Sequence, residues 1–289
     1  MKLLSLVTAM IVSAAAVPIS TSSSTTGIVP GKYFDRIVIF VFENADFLRT
    51  TNNAYFGSLA ERHNGVELTN FVALTHPSQP NYIGLISGST EGSVDDDKVT
   101  IDRETIVDLL ERKNISWKTY QQDYPGGCET KMRIGKYARK HNPFISFKNI
   151  QSNPERCAKI VNADVLDEDI KNDTVPQYVF YTPNMDNDGH DTGVVHAAQW
   201  FSKFLEPRLK EPTFTKNTLF VSTFDEAKHY THVPNRVQTV LFGPDFKRPS
   251  NATTDNKTYN HYSILRTIED NWDLDHLGLV DRIAVPFTL

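Results

Sequence analysis

Three segments of the chain carry acidic, amide or imidazole side chains directly after short apolar runs. They are Glu43-Asn44, the group Asp186, Asp188 and His190, and Asp225-Glu226. Carboxylate and amide oxygens are the ligands that hard and borderline divalent cations take. Adjacent carboxylates behind a buried strand also need a positive partner. The first and third segments together therefore predict a site for a divalent metal ion.

Ser78 lies between Pro77 and Pro80, which fix the backbone on both sides of it. Residues 81–86 have a helical pattern, so Ser78 falls at or just before a helix N-terminus, where backbone N–H groups and the helix dipole favour an anion. A serine there is usually an N-cap, and the segment by itself favours that interpretation. A metal ion beside the hydroxyl would lower its pKa and make it a nucleophile. Both interpretations are open at this point.

His190 lies between acidic residues in a glycine-containing turn. A lone histidine is usually structural, but this one follows a predicted strand of the site, so we interpret it as a proton donor or a phosphate contact. The residues from Asn184 to Gly189 resemble a calcium-binding loop superficially. An EF-hand is excluded because the twelfth position is Val195, whereas that loop requires a bidentate glutamate.

The predicted elements alternate between buried strands and amphipathic helices. Continuous apolar runs predict strands at 36–42, 178–181, 218–222 and 237–242, and helical spacing predicts helices at 104–113, 194–209 and 261–272. The alternation predicts an α/β fold with a mostly parallel central sheet flanked by helices. Ligands of such sheets bind beyond the carboxyl ends of the strands. Residues 31–289 are predicted to form one domain, with 126–153 as an insertion or a long active-site loop.

Composition limits the class of protein. The chain has 289 residues, 39% of them hydrophobic, a formal net charge of −5 and a mean hydropathy of −0.37. The acidic balance argues against a nucleic-acid partner, and the hydropathy excludes a polytopic membrane protein. Two cysteines exclude a disulfide-dense scaffold and a four-cysteine zinc site. No stable membrane insertion is expected, and the sequence does not determine the oligomeric state.

The N-terminus has the pattern of a secretory signal peptide. Lys2, an apolar run to Val17 and three small residues from Ala14 predict a signal peptide at 1–16, followed by a Ser/Thr-rich segment at 17–30. The apolar run is too short to span a bilayer, which needs about 20 such residues. The protein is therefore expected to be secreted or retained in the cell wall, with the vacuole as an alternative destination.

Secretion predicts glycosylation and oxidised cysteines. Four Asn-x-Ser/Thr sequons supply acceptor sites at Asn114, Asn172, Asn251 and Asn256. Cys128 and Cys157 are expected to form a disulfide, which the chain-entropy model values at about 3–4 kcal/mol for a loop of this length. Two free buried thiols are the alternative.

Four motifs, in this order, resemble the phosphoesterase family of secreted acid phosphatases and bacterial phospholipases C, which is related to the alkaline phosphatase superfamily. They are Phe42-Glu-Asn44, His76-Pro-Ser-Gln-Pro-Asn81, Asn187-Asp-Gly-His-Asp191 and Phe224-Asp-Glu226. The segments Lys140-His-Asn-Pro-Phe144 and 261–269 also look like that family. In detail the set is most similar to the secreted fungal acid phosphatases.

The resemblance implies an alkaline-phosphatase-like core and hydrolysis of a small phosphorylated substrate, a phosphate monoester, through a phosphoserine intermediate. Ser78 would be the nucleophile, and Asn81 and His190 would contact the transferred phosphoryl group. The implied metal ligands are Glu43, Asn44, Ser78, Asp225 and Glu226. Further candidates for the phosphate site are His76, His229 and His232. One divalent ion of undetermined identity is expected, because the pair Asp225-Glu226 stands where the two-zinc alkaline phosphatases have Asp-His.

Three other functions are alternatives. A phospholipase C-type phosphodiesterase of the same family would differ in substrate, and the sequence has no obvious amphipathic helix for docking on lipid. A serine esterase is disfavoured because the segment from Gly88 to Gly92 has Thr90 where a nucleophile elbow has serine. A non-catalytic secreted binding protein is expected to lack a nucleophile or a metal ligand, and none is lost here.

Overall fold

An eight-stranded sheet forms the centre of the computed structural model, which describes residues 27–231 and 234–289. The predicted signal peptide at 1–16, residues 17–26 of the Ser/Thr-rich segment and His232 lie outside the described residues. In chain order, the strands are β1 Arg36–Phe42, β2 Val66–Leu68, β3 Phe71–Val72, β4 Trp117–Gln121, β5 Arg133–Ile134, β6 Tyr137–Ala138, β7 Ile160–Asn162, β8 Tyr178–Thr182, β9 Thr218–Phe224, β10 Thr239–Phe242, β11 Thr254–Asp255 and β12 Tyr259–Asn260.

The large sheet has the strand order β11-β2-β10-β9-β1-β8-β4-β7. Strand β10 runs antiparallel to β2 and β9, and the other neighbouring pairs are parallel. Strands β3 and β12 form a small parallel pair, and β5 and β6 form a small antiparallel pair. The predicted α/β class with a mostly parallel central sheet is therefore confirmed.

Helices cover the sheet and connect its parallel strands. The α-helices are α1 Phe47–Thr51, α2 Leu59–Arg62, α3 Ser78–Ser87, α4 Ile106–Arg112, α5 Lys148–Gln151, α6 Pro154–Cys157, α7 Val165–Lys171, α8 Val194–Arg208, α9 Pro212–Thr215 and α10 His261–Trp272. Short 3₁₀ helices lie at Phe56–Ser58, Arg139–His141, Pro143–Ser146 and Val280–Ile283. No helix in the parts of the chain described above is both long and apolar enough to cross a membrane.

Strand β1 is central because its apolar run can be buried on both faces. All seven of its residues are buried, and it pairs in parallel with β8 on one side and β9 on the other. On one face, Phe40 and Phe42 lie against Phe201 of α8, with ring centroids 5.0 and 4.8 Å apart. Successive strand residues point to opposite faces. Helices therefore pack on both sides of the sheet, as Tyr82 of α3 packs near Phe180 of β8.

The predicted boundaries agree with the structure to within a few residues. Helix α4 begins two residues later than the predicted 104–113, because Thr105 is its N-cap. The Thr105 hydroxyl accepts a hydrogen bond from the Val107 N–H, and the Asp108 carboxylate accepts one from the Thr105 N–H. This reciprocal capping box satisfies two backbone donors that the first helical turn leaves unpaired.

The segment 126–153 folds into β5, β6, two short 3₁₀ helices and α5. The predicted disulfide is present at one end of it, where Cys128 bonds Cys157 with a Cα–Cα distance of 5.4 Å. The bridge attaches the start of the segment to α6. It therefore limits how far the segment moves from the sheet.

Candidate active site

The polar segments that follow β1, β8 and β9 meet at one edge of the sheet. The three strands are neighbours and run parallel, so their carboxyl ends lie together. Backbone hydrogen bonds continue the pairing past the strands, from Asp225 N–H to Phe42 O (2.9 Å) and from Glu43 N–H to Asp188 O (3.0 Å). Asn44 has φ of 42°, and its N–H donates to the Asp225 carboxylate at 3.0 Å. The predicted convergence is confirmed.

Ser78 is the first residue of α3, and its hydroxyl faces carboxylates. Pro77 holds the N-cap position, and no side chain caps this helix. The Ser78 hydroxyl donates to Glu43 Oε2 at 3.0 Å, and its oxygen lies 3.3 Å from Glu226 Oε1. The serine is therefore not an N-cap, and its role as a nucleophile stays a prediction. Its oxygen has the carboxylate neighbours expected of a nucleophile in a metal site.

Asn81 holds the turn that presents Ser78. Its side-chain oxygen accepts from the N–H groups of Leu74 and Thr75, and its nitrogen donates to the carbonyls of Thr75 and Pro77, all at 2.9–3.1 Å. The side chain is fully buried. These four bonds give the amide a role in the turn, and its predicted contact with phosphate stays a prediction.

His141 lies between two buried carboxylates, one of which is the Glu43 carboxylate that Ser78 contacts. Its Nδ1 lies 3.1 Å from Asp188 Oδ2, its Nε2 lies 3.2 Å from Glu43 Oε1, and all three residues are buried. The ring stacks on Tyr82, with centroids 5.2 Å apart and an interplanar angle of 15°. Glu43, His141 and Asp188 each offer a ligand atom within 4.8 Å of the others. They form a candidate metal-binding group that shares Glu43 with the predicted ligands.

His190 and Lys140 face each other beside this group. Lys140 Nζ donates to Asp96 Oδ2 at 2.8 Å and lies 3.3 Å from His190 Nε2. An ammonium is only a donor, so His190 carries its proton on Nδ1 and donates it to Asp191 at 2.8 Å. His190 also donates its backbone N–H to Asp188 at 2.8 Å. The predicted His190 therefore lies at the site, with a cation beside it.

The other predicted histidines lie in different settings. His76 pairs through Nδ1 with Glu226, and its ring stacks on Tyr230 with centroids 4.0 Å apart. His229 is exposed and bonds the Asp46 carboxylate through Nδ1 at 2.5 Å. His76 thus contacts a predicted metal ligand directly. His229 contacts Asp46, which lies two positions beyond the predicted ligand Asn44.

Burial of so many carboxylates raises their pKa values. Burial and the charges of Asp225 and Asp188 raise the pKa of Glu43 well above its usual range. Burial, followed by the charge of Asp225, raises the pKa of Glu226 to about 9, and burial raises the pKa of Asp225 to about 6. Burial likewise raises the pKa of Asp188. A bound cation would remove this cost, because it stabilises the ionised form of each carboxylate.

Several oxygen atoms at the site are buried without a hydrogen-bond partner. They are Glu43 Oε1, Asn44 Oδ1, Asp188 Oδ2 and Asp225 Oδ2. The His141 nitrogens lie 3.2 and 3.1 Å from the Glu43 and Asp188 atoms, but not in hydrogen-bond geometry. Buried polar atoms are almost always paired, and an ion is one of the accepted explanations for exceptions. The donor set of carboxylate and amide oxygens with one imidazole fits a hard or borderline divalent ion.

Four side chains at the site were not assigned a role from the sequence: Asp96, Lys140, His141 and Tyr230. Lys140 and His141 belong to Lys140-His-Asn-Pro-Phe144, one of the motifs that carried the resemblance, so that motif was the available signal. Asp96 is the second of three consecutive aspartates, and the sequence does not distinguish it from Asp95 or Asp97. Tyr230 follows Asp225-Glu226 closely but has no motif of its own.

The sequence profile of the Phosphoesterase family matches residues 51–275. The chain belongs to the Phosphoesterase family. Three family members illustrate the similarity. The chain is 40% identical over 265 residues to a probable acid phosphatase of Kluyveromyces lactis, covering 89% of this chain and 62% of the relative. It is 39% identical over 275 residues to a phosphate-repressible acid phosphatase of Penicillium chrysogenum, covering 93% of this chain and 65% of the relative.

The match to a more distant bacterial relative covers more of that relative's length than the matches to the fungal proteins do. The chain is 30% identical over 261 residues to a phosphatidylinositol-3-phosphatase of Mycobacterium tuberculosis, covering 88% of this chain and 82% of the relative. By contrast, it spans less than two thirds of the two fungal phosphatases. The similarity to these Phosphoesterase family members therefore covers nearly all of this chain but only part of the fungal proteins.

Solved structures place this Phosphoesterase family member in a wider fold group. The similarity to a Vibrio parahaemolyticus protein of the alkaline phosphatase superfamily has a TM-score of 0.59 at 13% identity, covering 90% of this chain and 71% of the other. For the lipoteichoic acid synthase LtaP of Listeria monocytogenes, the TM-score is 0.54 at 12% identity, and the match covers 86% of this chain and 77% of the other. The predicted alkaline-phosphatase-like core is confirmed at the level of the fold.

Proposed function

We propose that the protein is a secreted, metal-dependent acid phosphatase that hydrolyses phosphate monoesters through a phosphoserine intermediate. The observation that carries the proposal is the position of Ser78, whose hydroxyl begins α3 and lies 3.0 and 3.3 Å from carboxylates that follow β1 and β9. The fungal relatives described above are acid phosphatases by name, which supports the monoester reaction.

The proposed metal site holds one divalent ion through residues that surround Ser78. Its ligands are Glu43, Asn44, Ser78, Asp225 and Glu226, and His141 and Asp188 extend the group on the side of Glu43. The unpaired buried oxygens of Glu43, Asn44 and Asp225 support this assignment. When bound, the ion would lower the pKa of the serine hydroxyl and counter the negative charge of the phosphoryl group.

The first proposed step transfers the phosphoryl group to the protein. Ser78 Oγ attacks phosphorus, the Oγ–P bond forms, and the bond from phosphorus to the ester oxygen breaks. The serine proton has an acceptor in Glu43 Oε2, at 3.0 Å. Lys140 donates to phosphoryl oxygens and offsets their charge. The dipole of α3 favours the same anion at the helix N-terminus, where the Gln79 N–H is bonded to Asp96.

The leaving oxygen takes a proton, and water completes the reaction. His190 is the proposed donor: its Nδ1 is bound to Asp191, and in acidic solution its Nε2 gains a second proton that it can pass to the ester oxygen. In the second step water attacks the phosphorus of phosphoserine, the P–Oγ bond breaks, and Ser78 recovers a proton. Inorganic phosphate and the free alcohol are the products.

The proposed phosphate site includes two further predicted histidines. His76, paired with Glu226 and stacked on Tyr230, would contact the phosphoryl or leaving group. His229 is exposed and held by Asp46, which suits contact with the rest of the substrate. Asn81 is proposed to act mainly by holding the Ser78 turn. His232 keeps its assignment from the sequence.

We also propose secretion and glycosylation. The asparagines of all four sequons, Asn114, Asn172, Asn251 and Asn256, are exposed, as an acceptor must be. The disulfide between Cys128 and Cys157 supports passage through an oxidising compartment. Digestion with an endoglycosidase should lower the mass of the secreted protein, and a mass unaffected by it would contradict the glycosylation.

The test of the function uses 4-nitrophenyl phosphate as substrate. The wild-type protein, stripped with a chelator and then supplied with single divalent metals, should release 4-nitrophenol, whereas Ser78→Ala should lose at least about 10³-fold in kcat. Ser89→Ala, a serine beyond the other end of α3, is the matched control. Near wild-type activity of Ser78→Ala would refute the nucleophile, and activity indifferent to chelation would refute the metal.

Two further substrates separate the proposed reaction from its alternative. Bis(4-nitrophenyl) phosphate and a phospholipid are the phosphodiester probes. Faster turnover of either than of the monoester would identify a phosphodiesterase of phospholipase C type. No turnover of any of the three would favour a non-catalytic binding protein.

A further inference from the structure

The Asp96 carboxylate contacts the two groups that are best placed to bind phosphate, the backbone N–H at the start of α3 and the Lys140 ammonium. It lies in the loop between α3 and α4, and its Oδ1 accepts from the N–H of Gln79 at 3.0 Å. Its Oδ2 accepts from Lys140 Nζ at 2.8 Å. Gln79 directly follows the proposed nucleophile, so the carboxylate bridges the N-terminus of α3 and the cation opposite it.

The loop that carries Asp96 is fixed in place by the same helix. The Gln79 side chain donates to the carbonyls of Asp95 and Asp97 at 3.0 and 2.7 Å, and to the hydroxyl of Ser93 at 3.1 Å. The Gln79 side chain is buried. The loop therefore cannot move away from α3 without breaking these bonds, and they hold Asp96 beside the site.

The charge of Asp96 affects the pKa values of other groups at the reacting end of the site. After burial and Asp225, Asp96 is among the groups that raise the pKa of Glu226. It also acts to raise the pKa of His190 and of Tyr230. These three groups lie on two segments, the turns after β8 and β9, so the negative charge lies close to both turns. A phosphoryl group bound at Ser78 would therefore also be repelled by the negative charge of Asp96.

We propose that Asp96 makes the site select the singly charged form of a phosphate monoester over the doubly charged form. This inference rests on the proposed phosphatase function and names the ionic form of its substrate. The second ionisation of a phosphate monoester falls near pH 6, so both forms are present around neutrality. A fixed carboxylate that already occupies the Gln79 N–H and the Lys140 ammonium repels the second charge more than the first.

Selection for the singly charged form would make hydrolysis favour acidic solution through the substrate's own ionisation. The other charged and titratable groups that face Asp96 come from the turns after β8 and β9, from the 139–141 helix and from its own loop. Those that interact with Asp96 are Lys140, His190, Glu226 and Tyr230. The loop itself adds the exposed neighbours Asp95, Asp97 and Lys98, and Glu43 and Asp225 are buried in the site. All of them remain when Asp96 alone is replaced, so the comparison of variants isolates its charge.

The test measures binding rather than turnover. Phenylphosphonate, which is not hydrolysed, gains its second charge over this pH range, whereas benzenesulfonate keeps one charge throughout. Calorimetry at about pH 5 and about pH 8 should find that the wild-type protein binds phenylphosphonate about tenfold more tightly at the lower pH. Asp96→Asn should remove most of that ratio by tightening binding at the higher pH, and Asp96→Glu should retain it.

Two controls define the result. Asp97→Asn makes the same chemical change at an exposed neighbour and should keep the wild-type ratio, and benzenesulfonate should bind Asp96→Asn and wild type with the same pH dependence. Asp96→Ser, which keeps an acceptor for the Gln79 N–H, replaces Asp96→Asn if the latter does not fold. A loss of affinity for Asp96→Asn that is equal at both pH values would overturn the proposal, because it would mean that Asp96 only positions Lys140.

Failure of the proposed function is a separate observation. If the wild-type protein binds phenylphosphonate with the expected pH ratio but hydrolyses no phosphate ester, the phosphatase assignment is wrong while the charge selection is supported. If it hydrolyses 4-nitrophenyl phosphate but Asp96→Asn leaves the binding ratio unchanged, the charge selection is wrong while the function is supported.

Discussion

Lys140 is a half-buried ammonium whose neighbours keep it charged. Burial acts to lower its pKa, but the charges of Glu43 and Asp96 and the hydrogen bond to Asp96 outweigh burial, so the pKa of Lys140 is raised. The side chain is thus a cation in acidic and neutral solution, where a phosphate ester is already an anion. A charge-assisted hydrogen bond from such a group is worth about 1.5–3 kcal/mol.

Replacing Lys140 should therefore weaken substrate binding. Lys140→Met should raise KM for 4-nitrophenyl phosphate by about 10- to 100-fold, which corresponds to that free energy. Steady-state kinetics at several pH values measure the change. Lys136→Met is the matched control, because Lys136 lies on the same segment but pairs with Asp186 at an exposed position. Equal KM values for the two variants would contradict a phosphate-binding role for Lys140.

At the scale of elements, the turn before α3 determines where the nucleophile lies. Four hydrogen bonds from one buried amide, that of Asn81, hold this turn. Asn81→Ala leaves two N–H groups and two carbonyls without their partner, and unsatisfied buried groups cost about 1–3 kcal/mol each before relaxation and solvent access. The variant should lose about 2–4 kcal/mol of the free energy of unfolding, measured by urea denaturation.

The control for this change removes an amide that holds nothing in place. Gln199→Ala truncates an exposed amide on α8 and should alter stability by no more than about 0.5 kcal/mol. If Asn81→Ala instead kept its stability and raised KM, the amide would be a phosphate contact, as the family resemblance implies.

At the scale of the whole molecule, a buried acidic pair attaches the C-terminal region to the core. Glu269 of α10 is fully buried near Asp281 of the last 3₁₀ helix. The Asp281 carboxylate accepts from the N–H groups of Leu277 and Leu279 at 2.8 and 2.7 Å. Burial, followed by the charge of Asp281, raises the pKa of Glu269 to about 9. Burial thus favours the protonated form of Glu269 in the folded protein, although His276 Nδ1 lies 3.0 Å from Glu269 Oε2.

A raised carboxyl pKa makes the folded state bind the proton more tightly than the unfolded state does. Stability from Glu269 is complete below its unfolded pKa of about 4.3 and declines as pH rises toward about 9. The decline is at most about 1.4 kcal/mol per pH unit. Glu269→Gln should flatten the fall in the urea midpoint between about pH 5 and pH 8. Asp270→Asn, next to it and partly exposed, should leave the slope as it is in the wild type.

Local patterns were enough to predict the sheet and its polar edge. After Arg36, the run Arg36–Phe42 is entirely apolar, which is the pattern of a strand buried on both sides. Parallel neighbours align their carboxyl ends, so Glu43, Asp188 and Asp225 had to approach one another once their strands paired. The disulfide followed from two cysteines and an oxidising destination.

The sequence by itself therefore determined the fold class and the strand-end cluster, because both depend on residues in or adjacent to a regular element. Only the tertiary structure decided that Ser78 is not a cap, that Asn81 holds its turn, and that Asp96, Lys140 and His141 complete the site. Those side chains come from loops and short 3₁₀ turns, whose paths depend on packing against distant parts of the chain. Periodicity within a segment carries no information about such contacts.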